Sequence, residues 1–113
     1  METSSAVQAL AALAHATRLT VLRLLVQAGP SGLSAGSIAE QVVIAPSTLS
    51  FHLKELERAG LVNAWRRRRQ IFYSADFEVL RRLLSYLTED CCQGHPEICG
   101  GLVPREQAAC GPS

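Results

Sequence analysis

The stretch Pro46-Ser47-Thr48-Leu49-Ser50-Phe51-His52-Leu53-Lys54-Glu55-Leu56-Glu57-Arg58-Ala59-Gly60-Leu61-Val62 decides how this chain folds. Proline suits the first position of a helix, where its missing N–H would have no partner anyway. Ala59-Gly60 is a helix C-terminal signal. At about 100° per residue, Leu49, Leu53 and Leu56 fall within an arc of about 60°. Ser47, Ser50, Phe51, Lys54 and Arg58 lie on the other side. One face is therefore built for a core and the other for solvent or a partner.

The neighbouring segments have equally clear limits. Upstream, Ser34 is a plausible cap for a short helix through Ile38, Ala39 and Val42. Downstream, Leu61 to Arg66 and Gln70 to Ser74 are rich in strand formers and flank Arg66-Arg67-Arg68-Arg69, which predicts a hairpin with a basic tip. Towards the N-terminus, Val7, Leu10, Ala11 and Ala14 have helical spacing. A second apolar helix runs from about His15 to Gln27, through Leu19, Leu22, Leu25 and Val26, and stops at Gly29-Pro30. Asp76 caps a last helix with Phe77, Leu80, Leu83, Leu84 and Leu87 on one side. The expected fold is mostly α with a β-hairpin wing: a winged helix-turn-helix of five helices, over residues 1–90. Residues 91–113 form a cysteine-containing tail punctuated by Gly and Pro.

This pattern points to double-stranded DNA. Small hydroxyl residues at Ser47, Thr48 and Ser50 let a helix backbone approach the duplex and bond phosphates or base edges. Lys54 can pair with a phosphate. Phe51 lies about 200° from Leu49. Its ring either meets a thymine methyl in the major groove or packs on the wing or the preceding helix. His52 flanks the apolar side, so a half-buried structural role competes with a DNA contact. Four like charges at one tight turn repel, and Arg66, Arg67, Arg68 and Arg69 call for a polyanion. The net charge of +1 over 113 residues hides this local density.

All four cysteines lie near the C-terminus, at Cys91, Cys92, Cys99 and Cys110. Three thiols within nine positions, on backbone free to fold over at Gly94 and Pro96, suit a soft three-coordinate ion better than a disulfide scaffold. No run reaches transmembrane length, and Met1-Glu2-Thr3-Ser4-Ser5 is not a cationic signal region. A cytoplasmic location follows as the expectation, where clustered thiols bind metals or do redox work.

The Ser-x-His-Leu-x-x-Leu-x-x-Ala-Gly-Leu-Val run, the wing ending in Phe72-Tyr73, and Ala12-Leu13-Ala14-His15-Ala16-Thr17-Arg18-Leu19 resemble the ArsR/SmtB family of small dimeric repressors. The resemblance covers about residues 7 to 90. It implies a homodimer built from the first and last helices, whose apolar faces lie around Leu10 and Leu80 to Leu87. Many members carry glycine at the wing tip, where this chain has Arg68. One arsenic-responsive subtype places three cysteines on the helix before the recognition helix. The matching positions here are Ser34, Gly36 and Ala39, so that site is absent. The zinc-sensing subtype uses Asp and His on the last helix, which here has no histidine. What remains looks like a third subtype, with arsenite bound by Cys91, Cys92 and Cys99 at the end of the last helix.

The expected function is a metalloid-responsive repressor with arsenite, or antimonite, as effector. Zinc or cadmium is the rival ion, with His95 as a fourth ligand. A thiol redox switch is disfavoured because a helix C-terminus beside Glu89 and Asp90 raises a thiol pKa. A soft-metal carrier would not need the arginine wing. An enzyme such as a thiol-dependent reductase would place a low-pKa cysteine at a helix N-terminus or in a phosphate loop, and neither is present.

Overall fold

A computed structural model describes residues 1–89. Helix α1 spans Thr3–Leu13 and α2 spans Ala16–Ala28. A two-residue strand β1, Leu33–Ser34, leads into α3, Ala35–Val42, and then α4, Pro46–Arg58. The hairpin is β2, Val62–Arg67, and β3, Gln70–Ala75, followed by α5, Phe77–Leu87. Five helices and a three-stranded antiparallel sheet of order β1-β3-β2 make a winged helix-turn-helix.

Local chemistry sets most of these limits. His15 caps α2 by accepting the Thr17 N–H at its Nδ1, 3.2 Å away. Ser34 caps α3 through the Ser37 N–H at 3.1 Å, and Asp76 caps α5 through the Val79 N–H at 3.1 Å. Pro46 occupies the first turn of α4. Gly60, at φ +82°, turns the chain out of α4 in a conformation costly for any residue with a Cβ. The helix-turn-helix bend itself is made by Val43 at φ +60°, whose N–H returns to the Ala39 carbonyl at 2.9 Å. A β-branched residue is a strained choice there.

Leu49, Leu53 and Leu56 of α4 are fully buried against Val21 and Leu25 of α2, Ile38 of α3 and Leu61, forming one core cluster. The wing continues out of that core through Val62, Tyr73 and Ala75.

Three features add to the sequence expectation. Strand β1 is absent from the sequence expectation; it exists because Leu33 and Ser34 pair with Tyr73 and Phe72, while Ser34 caps α3 as expected. The inward face of α1 is Ala6, Ala9 and Ala12, while Val7 and Leu10 point outwards. Small side chains let α1 lie close to the body, so the larger apolar groups face away from it. Likewise α2 buries Val21, Leu22 and Leu25 and leaves Leu19 and Val26 exposed. α1 packs on α5, and the Thr3 hydroxyl is hydrogen-bonded to the Tyr86 phenol.

Candidate nucleic-acid interface

The core stripe of α4 fixes what its other side presents. With Leu49, Leu53 and Leu56 turned inward, Ser47, Thr48, Ser50, Phe51 and Lys54 are all exposed. They lie on the first turns of the helix, together with the free N–H groups of its N-terminus. That face offers hydroxyl donors and acceptors, one aromatic ring, and one ammonium. It has the width and chemistry for a major groove.

Phe51 is 56% exposed. So large an exposed fraction speaks against the packed alternative. Instead the Arg18 guanidinium lies over its ring, 5.5 Å from the centroid, and the His52 ring meets it edge-on at 5.5 Å.

His52, for which a DNA contact and a half-buried structural role were the two sequence readings, is only 6% exposed. Its Nδ1 accepts a hydrogen bond from Arg18 Nε at 3.1 Å, and its ring lies 4.6 Å from that of His15. Burial, then the neighbouring His15 and Arg18, hold its pKa below the ordinary histidine value. A neutral imidazole turned into the body is a structural group, so His52 leaves the solvent-facing set.

The wing places its arginines on both sides of the hairpin. Successive strand residues alternate faces. Trp65 is opposite Phe72 and Arg67 opposite Gln70, so these four share a face, while Arg66 and Ile71 take the other. Trp65 and Phe72 stack with centroids 6.0 Å apart and planes tilted by 17°. Arg67 lies over Phe72 at 6.0 Å, which gives one of the four wing cations an aromatic base. Arg68 and Arg69 form the two-residue turn. Arg68 has φ +59° where a glycine would be at ease, and Arg69 does not share it, which is the φ signature of a II′ turn. Among the described residues the ion pairs are Arg58–Glu55, Arg81–Glu78 and Arg82–Glu78, and none involves the wing. Its four charges are uncompensated at the exposed tip.

Sequence reasoning assigned no role to Arg18, although the segment holding it was singled out. The signal that could have found it is a basic residue one turn into a helix whose cap, His15, is itself an imidazole. Cys91, Cys92, Cys99 and the tail beyond Asp90 lie outside the described residues. Among the described residues no cluster of His, Cys, Asp or Glu could hold a metal ion, and no single helix is long and apolar enough to cross a membrane.

Comparison with known proteins bears on the same face. A family model described as a helix-turn-helix domain matches residues 13–63, which run from the end of α1 to the start of β2. The chain is 30% identical over 92 residues to the transcriptional activator HlyU of Vibrio cholerae, covering 81% of this chain and 82% of that one. The fold is similar to an ArsR-like transcriptional regulator from Rhodococcus, with TM-score 0.69, 27% identity, and 80% and 82% of the two chains covered. It is also similar to the homodimeric winged helix-turn-helix DNA-binding domain Mb0332 from Mycobacterium bovis, a possible ArsR-family regulator, with TM-score 0.63, 29% identity, and 75% and 76% covered.

Proposed function

The chain belongs to the ArsR family of winged helix-turn-helix transcriptional regulators, and on that premise we propose that it is a homodimeric repressor released from its operator by trivalent arsenic. The observation that carries the DNA part is the division of α4. Its leucines are spent on the core, and its hydroxyls, Phe51 and Lys54 are left facing out beside an uncompensated arginine wing. Lys54 and the wing arginines supply phosphate contacts; Ser47, Thr48, Ser50 and Phe51 supply the groove contacts.

The homodimer reading is supported by Val7 and Leu10 on α1 and Leu84 and Leu87 on α5. All four are exposed on two helices that pack together. Mb0332 is a homodimer of the same fold. A two-fold dimer presents two α4 helices to successive major grooves on one side of the duplex.

The effector reading rests on the sequence after α5. Cys91, Cys92 and Cys99 form a donor set that fits arsenite. Three thiols replace its three hydroxides, giving three As–S bonds and three waters with no residual charge. Antimonite has the same chemistry. Binding must favour the DNA-free form, since only differential affinity moves the equilibrium.

The test begins with selection of an operator from random duplexes by the full-length protein. Its release is then titrated with arsenite, antimonite, methylarsenite, zinc and cadmium. Arsenite should weaken binding about 5- to 150-fold, the usual range of allosteric coupling. Release by zinc or cadmium but not arsenite overturns the metalloid reading in favour of a four-ligand site with His95. Release by a thiol oxidant alone makes the thiols a redox switch. HlyU is named an activator; a reporter gene that falls silent without the protein would make this chain an activator too.

A further inference from the structure

Arg18 stands outside both the helix-turn-helix pair and the wing, on the first turn of α2. It nevertheless holds two adjacent residues of α4 at once. Its Nε–H donates to His52 Nδ1 at 3.1 Å, and the same guanidinium lies 5.5 Å from the centre of the Phe51 ring. His52 in turn is fixed by burial and by the His15 ring 4.6 Å away.

We propose that Arg18 is a positioning residue for sequence recognition: anchored to His52, it holds the Phe51 ring where it can meet a thymine methyl in the major groove. This rests on the DNA-binding function given above. A phenylalanine this exposed has few packing neighbours of its own and would exchange rotamers on the ps–ns timescale. Each exchange carries the ring edge through several ångströms. A methyl contact is made only within about 4 Å, so an unheld ring would read the base poorly.

The guanidinium is the right group for the task. It is planar, so one edge can donate to His52 while its face lies on the aromatic ring. Lysine offers a point charge and cannot do both. Because Nδ1 is the acceptor, His52 carries its proton on Nε2. The anchor therefore also fixes the tautomer of the buried imidazole.

The experiment uses full-length protein and a duplex it has enriched from a random library. Each thymine is replaced in turn by deoxyuridine, which removes only the 5-methyl. The unaltered protein should lose about fourfold in affinity at one thymine per half-site, the worth of one buried methyl-sized group. Arg18→Ala and Phe51→Ala should each erase that penalty, and the double variant should behave like either single one. Arg18→Lys keeps the charge and should also erase it, which carries the test if Arg18→Ala does not fold. The salt slope should be unchanged in all of them.

Retention of the penalty by both Arg18 variants overturns the proposal. So does a salt slope lowered by about one unit in Arg18→Ala with the penalty intact, which makes Arg18 a phosphate contact. If the unaltered protein enriches a duplex but no deoxyuridine matters, Phe51 reads no methyl and Arg18 positions nothing. If no duplex is enriched, the DNA-binding function itself falls.

Discussion

Arg18 and His52, 34 positions apart, are joined across α2 and α4 by a 3.1 Å hydrogen bond that only an unprotonated imidazole nitrogen can accept. A proton on His52 Nδ1 would remove the acceptor and set a second cation beside Arg18, with His15 facing the same ring from the cap of α2. The folded pKa therefore lies below the ordinary value of 6.5, through burial first, then His15, then Arg18.

The pH dependence follows with a definite sign. Below pH 6.5 the unfolded chain takes up a proton at this site that the folded chain resists. The contribution of neutral His52 is thus complete above 6.5 and is lost as pH falls through its folded value. Thermal melts between about pH 7.5 and about 5.5 should show a declining midpoint, and His52→Gln should flatten the decline. Parallel profiles for the two proteins would assign the effect to another group.

Gly32 leads directly into β1 at a close approach to β3. It has φ +71°, and a Cβ there would lie 2.3 Å from the Tyr73 carbonyl oxygen and 3.0 Å from the Trp65 ring. Gly32→Ala should cost about 2–4 kcal/mol in urea denaturation, since the backbone clash adds to the strained φ. A cost under about 0.5 kcal/mol, the ordinary range for a surface change, would mean that β1 is free to shift.

The turn gives the opposite expectation. Arg68 at φ +59° carries left-handed strain that glycine would not. Arg68→Gly should raise stability by about 0.5–1 kcal/mol, after the greater freedom of glycine in the unfolded chain offsets part of the relief. The midpoint of urea unfolding checks this, and a lower midpoint refutes it.

Replacing Arg67 and Arg69 by alanine should weaken binding to all duplexes and reduce the salt slope by about one or two units. Phe51→Ala should instead change which duplexes are preferred. A full salt slope in the arginine variant would show that the wing does not reach phosphate.

Single serine replacements at Cys91, Cys92 and Cys99 should leave operator affinity intact and abolish release by arsenite. The Cys110→Ser protein should respond normally. Gel shifts with and without arsenite decide it. A Cys110 variant that fails while the Cys99 variant is released would exchange the third ligand.

The elements written by short-range rules were legible in the residues. Pro46 and Gly60 bound α4, Ser34 and Asp76 cap the helices they precede, and the arginines sit between two strands. Strand β1 was not legible, because two residues leave no period; it forms only where Tyr73 and Phe72 arrive beside it. Nor could spacing tell which apolar residues of α1 face inward, since alanines took the core positions and left Val7 and Leu10 outside. In the candidate interface the exposed face of α4 followed from its leucine stripe. So did a half-buried place for His52, but its partnership with Arg18 did not, because that is set by how two helices cross.

Ser34 has two employments. It closes the β1 pairing opposite Phe72 and it caps α3 through its hydroxyl. From that tie the hairpin projects freely, with about 10 Å of strand between Phe72 and the turn. A tilt of about 10° at Ser34 would swing the arginine tip by roughly 2 Å, given that strand length, which is enough to part a cation from a phosphate. The wing is therefore a lever with its fulcrum on the first helix of the reading pair. A rotation of α3, were one to occur, would be carried to the arginine tip through Ser34.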